Sequence, residues 1–243
     1  LVKGKTVAIK INLTGSPQER MGRTPAEFAQ YSHPAVIGHV IRLCHEAGAV
    51  RVRVLEGAFS SGEPLEEFMI EAGWDPAPLA TAAAKVEFEN TNLRGRWPAY
   101  ARYKVPGQPY MFSEYYLNQA YEKSDVLISL AKLKEHATAG ITLAIKNMFG
   151  ALPLTIYGDS ASKTDVDESA AQGGRGTIMH DGRRQPAAIS PKEIDPSSPR
   201  VGYYRIPRII AELSLGLTLE DEVSSIERKL AGQLPGDDAP DGE

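Results

Sequence analysis

HPAVIGHVIRLCHEAGAVRVRVLEG, from His33 to Gly57, sets two periodicities side by side. Pro34 belongs in the first turn of a helix, where its missing N–H is no loss. Val36, Ile37, Val40, Ile41 and Cys44 recur at helical spacing and predict one buried stripe over Ala35–Ala47. Gly48 supplies the left-handed position that ends such a helix. Val50 to Leu55 (VRVRVL) alternates with period two, as a strand does, and runs into Glu56-Gly57. Upstream, Thr6 to Leu13 (TVAIKINL) is β-branched and mostly apolar, a buried strand whose end carries the polar Lys10 and Asn12. Strand, helix and strand in that order read as a right-handed parallel crossover unit.

The flanking sequence extends this pattern. Residues 14–31 are rich in Gly, Pro and charge and read as a loop with a short helix near Pro25–Gln30. Leu65–Ala72 predicts a helix closed by Gly73, Lys85–Phe88 a short strand and Tyr115–Tyr121 another helix, with residues 94–112 irregular or hairpin-like between them. Asp125–Leu130 (DVLISL) is expected to be a central strand. Residues 160–202, rich in Gly, Pro, Ser and charge, form a long excursion. Ile206–Leu213 and Glu220–Leu230 predict helices, and Gly232–Glu243 (GQLPGDDAPDGE) reads as a disordered acidic tail. The expected fold is therefore α/β, an open parallel or mixed sheet with crossover helices and a loop-rich second half. Its expected divisions are an α/β domain over 1–213 (core unit 1–150, loop-rich part 151–213), a helical extension over 214–231 and the tail over 232–243.

Composition narrows the function classes. Apolar residues at 42% and charged residues at 24% describe a folded chain. The 27 Lys+Arg against 31 Asp+Glu leave a net charge of −4, too close to neutral for a general nucleic-acid or membrane-surface binder. Cys44, the single cysteine, excludes an internal disulfide and an intrinsic iron–sulfur cluster, and its place in the helical stripe makes it inert core. No apolar run approaches the ~18 residues of a membrane span. A cytoplasmic location is expected, with a processed export signal upstream of Leu1 left open.

Chemistry concentrates just past Asp125–Leu130, where Lys132, Lys134, His136, Lys146 and Asn147 follow one another. Ligands of open α/β sheets bind beyond the carboxyl ends of the strands. Three lysines and a histidine there make a positive focus suited to a carboxylate or phosphate. His136 is the natural proton-transfer residue near neutral pH, and a lysine crowded by cations gains nucleophilicity. The alternative is a solvated lysine loop with His136 as a cap. Lys10 and Asn12, two apart at the end of the first strand, point into the same crevice. Glu56 ends the next strand and offers a base or a ribose-binding carboxylate. His33 reads as a cap neighbour, and His39 and His45 as exposed. Gly173-Gly174-Arg175-Gly176 could wrap a phosphate but matches no phosphate-loop signature. His180-Asp181 reads as a turn ahead of a ligand pair.

Leu127 to Gly150 (LISLAKLKEHATAGITLAIKNMFG) closely resembles the signature of the domain of unknown function 362 family. VAIKINL at 7–13, the His33–Gly57 unit and Tyr157-Gly158-Asp159 resemble it too, so the resemblance covers roughly Lys5 to Leu213. Many members carry ferredoxin-type cysteine clusters. With Cys44 alone, redox work in this chain would need an electron-transfer protein partner or a separately bound cofactor. The family pattern continues past Ile206–Leu213 into another strand and a glycine-rich loop. Here Leu215–Leu230 and the acidic tail follow instead, so a truncated or divergent C-terminus is expected.

A more distant resemblance is to the nickel-pincer lactate racemases: His136, two residues, Ala139-Gly140, five residues, Lys146. In that family the histidine moves a proton at the substrate's α-carbon and the lysine covalently holds a nicotinate-derived nickel cofactor. Carried over, His136 is the acid/base and Lys146 the anchor of a nickel-pincer nucleotide. Ile141–Ile145 replaces a glycine-rich stretch, and His180 lies too far beyond Lys146 to match the later metal-binding histidine, so the metal ligands stay unknown. The resulting expectation is an enzyme that binds a small carboxylate-type anion and does proton-transfer or redox chemistry. His136 and Lys146 are its catalytic pair, with Lys10, Asn12, Lys132, Lys134, Asn147 and Glu56 around the anion. The alternative is a non-catalytic accessory protein for an electron-transfer or metal/cofactor-delivery partner.

Overall fold

The structure, a computed structural model, describes residues 1–15, 30–182 and 187–231. The short helix expected near Pro25–Gln30 and the tail Gly232–Glu243 lie outside the described residues, apart from Gln30 itself. Strand β1 (Thr6–Lys10), helix α1 (Pro34–Glu46) and strand β2 (Arg51–Glu56) form the crossover unit that the two periodicities predict. His33 caps α1 by accepting the Ala35 N–H on its side chain, and Gly48, at φ +89°, takes the left-handed turn beyond the helix. Ile37, Ile41 and Cys44 are buried, whereas Val36 is exposed. Each residue turns a helix by about 100°, which carries Val36 off the stripe centred on Ile37.

Helices α2 (Leu65–Glu71) and α3 (Ala77–Ala80) lead to strand β3 (Val86–Asn90). Strands β4 (Ala101–Lys104) and β5 (Glu114–Leu117) pair as an antiparallel hairpin, followed by helix α4 (Gln119–Glu122) and strand β6 (Val126–Ser129). The helix expected over Tyr115–Tyr121 is thus a strand and then a short helix. Asn118 makes the break, its side chain accepting the Ala120 N–H at 2.7 Å. The chain continues through strands β7 (Lys134–His136) and β8 (Gly140–Thr142), helix α5 (Ala144–Asn147), a 3-10 turn at Met148–Ala151 and helix α6 (Leu154–Tyr157). A single helix α7 (Gly202–Ala231) covers both helices expected near the C-terminus and is continuous across residue 213.

Four parallel strands form the main sheet in the order β3-β2-β1-β6. The α/β expectation holds; the central place expected for Asp125–Leu130 does not, because β6 is the edge strand. Its apolar run is nevertheless explained. Val126 and Ile128 pack on one core cluster and Leu127 on the other, so both faces are covered while no further strand among the described residues pairs with its lateral edge. One core lies between the sheet and α1, built on Val7, Ile9, Val52 and Val54. The other gathers Tyr115, Leu117, Phe149, Tyr157 and Ile209 on the opposite face. Buried Glu212 fastens α7 there by accepting the N–H groups of Tyr110, Met111 and Phe112 and the Tyr115 hydroxyl. Register sets Lys10 between Leu55 and Ser129, so β1, β2 and β6 end together.

Candidate active site

A cleft of about 580 Å³ opens beyond the carboxyl ends of β1 and β6. Period-two alternation sends Val7, Ile9 and Ile11 into the core under α1 and leaves Lys10 and Asn12 to line the cleft. Lys10 Nζ donates to Glu56 Oε1 and to the Ile11 carbonyl, each at 2.7 Å, and the pair's side chains are only 1% and 0% exposed. Burial lowers the Lys10 pKa against the opposing pull of Glu56. Glu56 Oε2 accepts the Leu13 N–H at 2.7 Å, so both carboxylate oxygens are engaged beneath the cleft. Asn147 ties the floor together. Its Oδ1 accepts from Asn12 at 3.1 Å and its Nδ2 donates to the Lys10 carbonyl and to Ser129 Oγ. Asn12 Oδ1 is buried without a hydrogen-bond partner among the described residues.

The hairpin of β7 and β8 supplies one wall. Lys134 Nζ donates to Thr14 Oγ1 and the Gln30 carbonyl, tying the hairpin to the chain that follows β1. His136 Nδ1 accepts the N–H groups of Thr138 and Ala139 at 3.3 and 3.2 Å, closing the hairpin turn. An Nδ1 that faces two N–H donors carries no proton, so the hydrogen-bond network assigns the proton to Nε2. Burial, then Lys146, His180 and Lys134, push the His136 pKa down to about 4. Lys146 also lines the cleft, its ammonium 4.6 Å from the Phe149 ring centroid. Lys132 is half-buried and is not among the residues that line this cleft.

Gly174, Arg175 and His180 reach the cleft from the long excursion, and the two side chains among them carry little weight in the sequence pattern. Arg175 donates through Nε to the Leu152 carbonyl and through Nη2 to Asn92 Oδ1 at 2.6 Å. Gly57 makes room for it, since a Cβ there would sit 2.4 Å from both Arg175 Nη2 and the Gly150 carbonyl. The glycine-flanked arginine at 173–176 was the available signal. His180 lies in a π-helical turn over Gly176–Asp181 and stacks on His136, ring centroids 6.1 Å apart and planes 14° apart. It also meets Phe149 edge-on at 4.9 Å. Its Nδ1 lies 2.8 Å from the Arg175 carbonyl, which only accepts, so Nδ1 carries the proton and Nε2 keeps its lone pair. Burial, chiefly, holds the His180 pKa below the ordinary value.

The structure thus gathers Lys10, Asn12, Lys134, His136, Lys146 and Asn147 with Arg175 and His180, and sets Glu56 underneath. Among the described residues, no group of three His, Cys, Asp or Glu side chains is placed to hold a metal ion. No helix among them is long and apolar enough to cross a membrane. No curated protein and no solved structure matches the chain. The family model for the domain of unknown function DUF362 matches residues 7–220, which contain the crossover unit, the strand-end Lys10 and Asn12, and every residue lining the cleft. The chain belongs to the DUF362 family.

Proposed function

We propose that this chain is an enzyme that binds a small carboxylate-type anion in the cleft and moves a proton at the carbon next to a carbonyl. The stacked histidines carry this reading: both are neutral, in opposite tautomers, among Lys134, Lys146 and Arg175. A neutral imidazole does not give up its remaining N–H near pH 7, so His136 acts by pointing a polarised donor at a developing oxyanion. His180 Nε2, with its lone pair, is the base that takes the carbon-bound proton and later returns it. The surrounding cations hold the carboxylate and offset the charge that builds on the enolate oxygen. The unpartnered Asn12 Oδ1 offers an acceptor to a substrate hydroxyl.

Hydrogen exchange tests this reading. The full chain is incubated in deuterium oxide with pyruvate, 2-oxobutyrate, lactate or glycolate, and the carbon-bound proton signals are followed by NMR. At least one member should exchange faster than with buffer alone. His180→Gln should abolish the gain and His136→Gln should reduce it about 10²-fold. Exchange by His180→Gln at the wild-type rate, or by no member of the panel, contradicts it. The accessory-protein reading finds its support in Leu133, Ile141, Leu143 and Ile145, exposed apolar side chains on the hairpin wall and α5. It expects saturable binding without exchange.

A further inference from the structure

Lys146 stands apart from the other cations of the cleft. Lys10 is paired with Glu56, Lys134 donates to Thr14 and Gln30, and Arg175 to Leu152, Asn92 and Gly150. Lys146 makes no hydrogen bond and no ion pair among the described residues, and its ammonium rests only over the Phe149 ring. The backbone that follows it is fixed: Asn147 is pinned to β1 and β6 by its side chain, and Met148 and Phe149 are buried. A lysine whose task is to anchor the fold has hydrogen-bond or ionic partners, and among the described residues this one has none.

We propose that Lys146 is a nucleophile that forms an imine with a small carbonyl-bearing carboxylate, a 2-oxo acid, held in the cleft. The proposal rests on the reading of the cleft as a carboxylate site and names its substrate class. Burial and crowding by cations give the amine its reactivity. Burial, then Lys134, Arg175 and Lys10, bring the Lys146 pKa down to about 8. Roughly a tenth of the amine is then neutral at pH 7, against well under a thousandth for an ordinary lysine. The neutral amine attacks the keto carbon, and the nitrogen passes a proton to the former carbonyl oxygen, which the His136 Nε2–H polarises. The carbinolamine hydroxyl then takes a second proton from solvent and leaves as water while the nitrogen lone pair forms the C=N bond. One amine, one ketone and one proton give one protonated imine and one water, with no oxidant or reductant needed. The protonated imine is a better electron sink than the ketone, so the neighbouring C–H becomes more acidic toward the His180 lone pair. The two histidines and the lysine thereby serve one reaction.

Reductive trapping tests the proposal. The full chain is treated with pyruvate and cyanoborohydride near pH 7.5, then measured by intact mass and peptide mapping. The expected result is one adduct per chain on Lys146, formed at least tenfold faster than on the exposed Lys85, and lost in Lys146→Arg. Adducts spread equally over Lys85 and Lys146 overturn it. Far-ultraviolet circular dichroism confirms that Lys146→Arg is folded. In parallel, lactate, which has no carbonyl, is tested for protection of Lys146 against an acetylating reagent. Protection without trapping overturns the imine and leaves the carboxylate reading standing. Neither protection nor trapping overturns both.

Discussion

His136 and His180 show how much chemistry rests on single hydrogen bonds. Two backbone N–H groups fix the proton of one ring on Nε2, and one carbonyl fixes the proton of the other on Nδ1. Lys146 shows the cost of burial and, after it, of the surrounding charge. Its folded pKa, about 8, lies below the ordinary 10.5, so the fold disfavours the protonated form. That cost is complete below about pH 8 and fades as pH rises toward 10.5, where the amine is neutral folded or unfolded alike. Lys146→Met should therefore stabilise the protein by roughly 1–2 kcal/mol near pH 6, net of the lost contact with Phe149. The gain should disappear by about pH 10.5 in urea titrations, and a loss of stability independent of pH contradicts it. His136 and Lys146 were legible in the sequence because they sit close together after a strand. His180 was not: nothing local in Met179-His180-Asp181 tells that the excursion folds back onto the hairpin.

Among the elements, the crossover unit was the easiest to read. β1 is apolar enough to be buried on both faces, β2 alternates with period two, and α1 carries a stripe bounded by a proline and a glycine. The edge position of β6 was hidden because side-chain pattern reports faces, not lateral neighbours. The strand within Tyr115–Tyr121 was hidden by its brevity and by the cap at Asn118. The ends of β1 and β2 are joined by the buried Lys10–Glu56 pair. Glu56→Gln leaves a buried ammonium without its counterion and should cost about 3–5 kcal/mol, whereas Lys10→Met with Glu56→Gln should recover a good part of that loss. Urea unfolding of the two single variants and the double variant measures the coupling. Strictly additive costs would show that the pair is not coupled.

The net charge of −4 conceals an asymmetry of the folded chain. Lys10 at the end of β1, Lys134 on the hairpin, Lys146 on α5 and Arg175 in the excursion converge on one cleft, and Glu56, the carboxylate nearest Lys10, is already spent on it. In the proposed function, this convergence is what draws a small anion to an acidic protein. Its parts lie far apart in sequence, so the complete constellation belongs to the fold, while the stretch after β6 announced only half of it. Long-range ¹H–¹⁵N NMR spectra of the histidine side chains, recorded from about pH 4 to 8 with and without pyruvate, decide whether this cleft is a neutral-imidazole anion site. His136 should appear as the Nε2–H tautomer and His180 as the Nδ1–H tautomer, both neutral near pH 7. Pyruvate should shift both saturably and raise their pKa values, because a bound anion offsets the neighbouring cations. If His136 instead titrates near its ordinary 6.5 and neither histidine responds to pyruvate, the proposed site does not exist.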